Sequence, residues 1–297
     1  MLAVVKRIFF FTLVNILIIT TLSITANLIS TFFGIDLSGY GGLLVFCAIF
    51  GMGGAFISLA SSKIMAKWMF GLQLIDPKTT DPHSRQIVEV VHDLARKARL
   101  RKMPEVGVYK SEEVNAFATG PSKNSSLVAV STGLLRHMSK DQVEGVLGHE
   151  VAHIANGDMV TMTLIQGVMN ALVMFAARII AGIISSQVDE RARWGVHFAL
   201  VIVLQILLGF LGMIVVNYFS RFREYRADAG GARLAGRQKM IQALQALSRT
   251  TELVEQDHPS MASLKITGGN KGLIRRLFST HPPIEERIER LKRVPVL

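Results

Sequence analysis

One cysteine, Cys47, occurs in the 297 residues, so no intramolecular disulfide can form, as suits a protein facing the reducing cytoplasm. Charge is also scarce. Only 19% of residues are charged against 50% hydrophobic, and the mean hydropathy of +0.38 is too apolar for an ordinary soluble domain. There is no internal repeat and no separate soluble domain. A nucleic-acid-binding module and a basic stripe interleaved with aromatics are both missing, which argues against nucleic acid as a partner for the formal net charge of +11. Basic residues flanking membrane spans and facing anionic lipid account for that charge more simply.

Four apolar segments are long enough to cross a bilayer, which needs about 20 helical residues. Ile8–Phe33 has no charged residue and is too long for a signal-peptide core, so it is expected to be a retained anchor. Gly39–Ala60 follows after a short link, giving a hairpin of two spans, with Gly51-Met52-Gly53-Gly54 suited either to close helix contact or to a flexible patch. Met159–Ile184 carries Gln166, Asn170 and Arg178, the last near enough to the far end to snorkel, whereas Val196–Phe219 is cleaner. Core helices of a globular domain are the other reading of this second pair. Lys6 and Arg7 before the first span, and Lys63 and Lys67 after the second, place the termini and polar regions in the cytoplasm by the positive-inside rule.

The densest chemistry lies in His149-Glu150-Val151-Ala152-His153. Residues four apart share one face of a helix, so both imidazoles reach a single metal ion while Glu150 is rotated to one side. Zinc suits neutral imidazole nitrogens, and three protein ligands leave a position for water whose proton a nearby carboxylate accepts. Ser139 with Gln142 three residues later forms a capping-box pattern, and Val143, Val146, Leu147, Val151 and Ile154 recur at helical spacing, so the motif is expected on a helix. A third ligand must come from elsewhere. Glu224 and Asp228 are four apart; one is suited to bind the metal and the other to accept a hydrogen bond from a ligand histidine, and the alternative is a solvated charged face.

Between the second span and the metal helix, Ser84–Leu100 reads as an amphipathic helix and Val106–Tyr109 and Leu127–Val130 as short strands. Asn115–Pro121 separates the strands, with Gly120-Pro121 and Ser122–Ser126 signalling turns. An exposed strand beside the metal helix would pair with an extended peptide by β-augmentation; a strand internal to a sheet would not, and both readings stay open. Past Asp228, further helical packing is expected, then a loop from Asp257 to Asn270 and a charged helix from Ile284 to Arg293.

His149–His153 with Asn156-Gly157-Asp158, Glu224–Asp228, Asn115-Ala116-Phe117 and Thr280-His281-Pro282-Pro283 together resemble the HtpX family, bacterial inner-membrane zinc metalloproteases related to the CAAX prenyl endopeptidases. The resemblance covers essentially the whole chain. It implies an ATP-independent endopeptidase of membrane-protein quality control and stress response, with one Zn2+ per chain on His149, His153 and Glu224 and with Glu150 as catalytic acid/base. On this mechanism Asp228 orients a ligand histidine, His281 is a candidate donor to the developing oxyanion, and Asn115, Ala116 and Phe117 are candidate substrate-binding residues. His281 reads equally as a packing residue beside its prolines.

The expected fold is mainly α and integral to the membrane: a zincin-like metalloprotease domain with a small β-sheet and about four transmembrane helices. The expected divisions are an N-terminal hairpin (1–60), a cytoplasmic protease region with the metal helix (61–158), a second pair of spans (159–219) and a cytoplasmic region with the third ligand (220–297). Expected partners are unfolded or membrane-protein substrates and the lipid bilayer, with the site facing the cytoplasm of a multi-pass inner-membrane protein. At about 1.5 Å per helical residue, His153 and Glu224 each lie within roughly 10 Å of a predicted span, so the metal is expected just outside the bilayer. A processing peptidase for lipidated or C-terminal peptides, and a non-catalytic scaffold or transporter, are the competing functions; an intact Glu150 argues against the scaffold.

Overall fold

The computed structural model describes residues 39–257 and 277–293, together with Thr20, Ile24, Leu28, Thr31, Phe32 and Gly34. Most of the first predicted span, Ile8–Phe33, and nearly all of the predicted Asp257–Asn270 loop lie outside the described residues. In chain order the elements are α1 (Gly39–Phe70), β1 (Gln73–Leu74), α2 (Pro82–Lys97), β2 (Glu105–Tyr109), β3 (Ala116–Ser122), β4 (Ser125–Ser131), α3 (Thr132–His137), α4 (Lys140–Asn156), α5 (Asp158–Ser185), α6 (Glu190–Ala235), α7 (Arg237–Asp257) and α8 (Ile284–Arg293). The chain divides into two compact units, one of residues 1–58 and 162–216, the other of 59–161 and 217–297.

In the first unit, the apolar lengths of α1, α5 and α6 are each sufficient to cross a membrane. Their outer faces expose large apolar side chains such as Leu172, Phe198, Ile206 and Phe210. Water would make so extended an apolar surface untenable, whereas lipid tails solvate it. Close backbone approach holds α1 to α5: a Cβ on Gly51 would fall 2.5 Å from the Ala171 nitrogen, so only glycine fits there. Arg178 is satisfied inside this unit, its guanidinium 5.6 Å from the Phe46 ring centroid and one nitrogen donating to the Met174 carbonyl at 3.2 Å.

The second unit is built on a four-stranded sheet in the order β1-β2-β4-β3, with β4 parallel to β2 and antiparallel to β3. Val128 and Val130 of β4 meet Val91 and Leu94 of α2 and Leu147, Val151 and Ile154 of α4 in one apolar core. Asp81 starts α2 by accepting from the Ser84 N–H at 2.8 Å. Asn115–Pro121, read from the sequence as a connection between strands, is mostly the edge strand β3. Ala116 and Ala118 pack against the core there. The Gly-Pro pair sits within the irregularity between Thr119 and Ser122, where Gly120 at φ +141° lies so close to Ser125 that no side chain fits. The turn itself is Lys123-Asn124.

Candidate metal centre and active site

Helix α4 begins with the full capping box: Ser139 Oγ accepts from the Gln142 N–H and Gln142 Oε1 accepts from the Ser139 N–H. It ends on Gly157, whose left-handed φ of +76° lets its N–H reach back to the Ile154 carbonyl. The Lys123 ammonium donates to the Ala155 carbonyl at the same end. That turn starts α5 with Asp158, whose Oδ2 lies 2.6 Å from His153 Nδ1.

Two pairs of small residues then bring the 217–235 part of α6 against α4. A Cβ on Gly148 would stand 2.9 Å from the Ala235 methyl, and one on Gly230 would stand 2.6 Å from the Ala152 methyl. With the backbones this close, Glu224 and Asp228 are carried to the histidine face of α4. His149 Nε2 and His153 Nε2 are 3.0 Å apart, and Glu224 lies 3.4 Å from the first through Oε2 and 3.3 Å from the second through Oε1. Three donors bound tetrahedrally at about 2.0–2.1 Å would stand about 3.3 Å from one another. The residues therefore fit one metal ion. Glu224 is fully buried, with no well-aligned hydrogen bond to either carboxylate oxygen, an arrangement that a cation resolves.

Each imidazole has a carboxylate beside its other nitrogen. Asp158 faces His153 Nδ1, and Asp228 Oδ1 faces His149 Nδ1 at 3.0 Å. With those nitrogens donating, both Nε2 lone pairs are turned toward the metal position. Burial pushes the His149 pKa down, but the Asp228 and Glu224 carboxylates outweigh it and raise it to about 9; Asp158 and Glu224 likewise raise His153 against its burial. Metal uptake must therefore displace protons.

Glu150 follows His149 on α4 and is half-buried. The His281 Nδ1 lies 2.9 Å from Glu224 Oε2 with a largely exposed ring, so it stands at the rim of the same cluster. The three candidate substrate residues lie at the start of β3 and just before it. Asn115 is exposed and bonds through its backbone N–H to Ser131 Oγ at 3.1 Å, Ala116 packs into the core, and the Phe117 ring packs against Phe70 and Tyr109 with centroids 4.9 and 5.8 Å away. What this segment presents is the edge strand β3, packed beside α4.

Two contributors escaped the sequence reading. Asp158 stood in a motif without a role, although a carboxylate just past a glycine helix stop is placed to reach the last histidine. Arg287 on α8 grips Asp228 with Nε at 2.8 Å and Nη2 at 2.6 Å. Its signal was a charged residue on the face that Ile284, Ile288 and Leu291 turn toward Met240 and Leu244.

Comparison with known proteins agrees with this geometry. The model of peptidase family M48 matches residues 82–294. A Bacillus licheniformis protein named Protease HtpX homolog is 53% identical over 296 residues, covering 97% of this chain and 99% of that protein. Protease HtpX of Aeromonas hydrophila subsp. hydrophila is 51% identical over 295 residues with the same coverage of both. The crystal structure of S. mikatae Ste24p superposes with a TM-score of 0.61 over 91% of this chain at 18% identity, a likeness of fold; the chain spans 66% of that protein's length. A family model that matches most of the chain, relatives alike along nearly all of it and a buried His-His-Glu cluster lead to one conclusion: the chain belongs to peptidase family M48 and is a membrane metalloprotease.

Proposed function

We propose that the chain is a zinc-dependent endopeptidase of the bacterial inner membrane that cuts misfolded or damaged membrane proteins at the cytoplasmic face, in quality control under stress. His149, His153 and Glu224 hold one zinc, and the observation that carries this is the closeness of their three ligand atoms around a fully buried carboxylate. When bound, zinc supplies an electrophile that acidifies water and polarises a carbonyl. Glu150 accepts the proton of the attacking water and returns it to the leaving amine. Asp158 and Asp228 aim the two imidazoles and fix their tautomer, with the proton on Nδ1 and the lone pair on Nε2. His281, at the rim, donates to the oxygen on which negative charge develops. An extended segment of substrate adds to the edge of β3 beside α4, with the backbone of Asn115, Ala116 and Phe117 in contact and side-chain identity read weakly, as clearing damaged chains requires.

The cytoplasmic orientation rests on Lys6, Arg7, Lys63 and Lys67 flanking the first two spans. Glu224 follows the predicted span Val196–Phe219 closely in sequence, so substrates tethered in the bilayer gain effective concentration over free soluble chains.

Purification in detergent with chelator should protect the protein from self-cleavage, and added zinc should restore cutting of an unstructured substrate. Glu150→Ala should bind zinc as wild type and lose about 100-fold or more in turnover, since it removes the base and no ligand. Full activity in Glu150→Ala would overturn the mechanism. Orientation is tested separately in a Cys47→Ser background. A cysteine at Ser122 should resist a membrane-impermeant reagent in intact cells and one at Ser186 should react; the reverse pattern would place the site on the other side.

A further inference from the structure

We propose that Arg287 is a positioning residue of the metal centre, fixing His149 through Asp228, an inference that rests on His149 being a metal ligand. Arg287 is only 7% exposed on a helix whose other charged residues are exposed. A buried guanidinium is retained only where its charge and donors are matched. Here they are matched by one carboxylate in a planar fork, Nε to Oδ2 and Nη2 to Oδ1, and that same Oδ1 faces His149 Nδ1 at 3.0 Å. A two-point grip fixes the plane of the Asp228 carboxylate as well as its place, which a single ammonium contact would not do. The carboxylate plane in turn sets the direction in which the His149 ring donates, and so where its other nitrogen points. At 3.6 Å from Glu224 Oε2, Arg287 acts on that ligand only through its field.

The segment that carries Arg287 is seated on α6 by a row of polar contacts. Asn217 donates to the Phe278 carbonyl at 3.0 Å, Arg221 donates to the Ser279 carbonyl at 2.8 Å, and the Tyr225 hydroxyl donates to Glu286 at 2.6 Å under the Arg290 guanidinium. Residues 217, 221, 225 and 228 follow one another at spacings of four, four and three, a single face of the helix. Glu224 lies next to that row, and His281 reaches it from the same segment. The C-terminal helix is therefore built into the centre, and its contribution is delivered at Asp228.

The test uses the full-length, detergent-purified chain carrying Glu150→Gln to suppress self-cleavage. Zinc affinity is read by competition with a chelating dye, and ligand geometry from the visible spectrum of the cobalt-substituted protein. Arg287→Lys keeps the charge and loses the fork; it should weaken metal binding by about 10–100-fold, the range for partners of metal-bound histidines, and shift the cobalt bands. Arg287→Met should lose at least as much. In an Asp228→Asn background Arg287→Met should add no more than about two-fold, because residues acting through one contact are not additive. Should Arg287→Met fail to fold, Arg287→Lys decides alone. Wild-type affinity and spectrum in Arg287→Lys, or a full Arg287→Met loss on top of Asp228→Asn, would overturn the inference. His149→Ala separates the two readings: if it binds zinc as wild type, the ligand assignment itself falls, whereas if it loses zinc and Arg287→Lys does not, only the role of Arg287 falls.

Discussion

His153 and His149 face the same cluster four residues apart on one helix, yet their partners come from opposite sources. The partner of His153 is Asp158, five residues on, delivered by the glycine that ends α4. The partner of His149 is Asp228 on α6, itself gripped by Arg287 on α8. One half of the site is thus complete once α4 is capped, at the small entropic cost of a short turn. The other half exists only after three elements distant in sequence have docked, and it inherits every weakness of that docking. Damage to tertiary packing should therefore be felt first at the His149 half.

The comparison can be broken most sharply at Glu224, the carboxylate the two halves share. Glu224→Gln replaces an anionic ligand by a neutral amide and should lower zinc affinity by more than about 100-fold, beyond what loss of a histidine's partner costs. Undiminished zinc in metal analysis of that variant would move the third ligand elsewhere. Asp158→Asn and Asp228→Asn should each cost about 10–100-fold in metal affinity or turnover. Asp228→Asn should show the larger loss, because it also releases the Arg287 grip and the docking of several elements. Equal responses of the two variants on both readouts would erase the proposed asymmetry.

Smaller effects sharpen it further. Gly148→Ala forces a methyl against Ala235 at the α4–α6 crossing and should cost about 1–3 kcal/mol in thermal or denaturant unfolding, with a measurable loss of zinc affinity. Ser139→Ala removes the cap at the far end of the same helix and should cost about 1 kcal/mol while leaving zinc affinity unchanged. A drop in affinity in Ser139→Ala equal to that in Gly148→Ala would mean that the metal centre reports general stability, not the crossing.

What the sequence disclosed follows the same division. The capping box, the histidine face and the glycine stop of α4 are local, so spacing and residue type were enough to place them. The strand Ala116–Ser122 was hidden because Gly120-Pro121 carries the signature of a turn, while its pairing with β4 and its inward alanines depend on partners remote in sequence. The Arg287 grip was hidden for the same reason, and only its place on an apolar face of α8 hinted at it. Glu224 and Asp228 were legible as a pair, and the structure assigns Glu224 to the imidazole Nε2 atoms and Asp228 to Nδ1.

The Arg287 guanidinium also sets a total. Around the two imidazoles lie three buried carboxylates, Asp158, Asp228 and Glu224, and one buried guanidinium. With both rings neutral these four groups sum to two negative charges, which a cation held between them would offset. Without the arginine the sum would be three, and protonation of a carboxylate or an imidazole would compete more strongly with a metal ion. A helix near the C-terminus that offers no metal-binding side chain thus contributes to the charge balance of the centre.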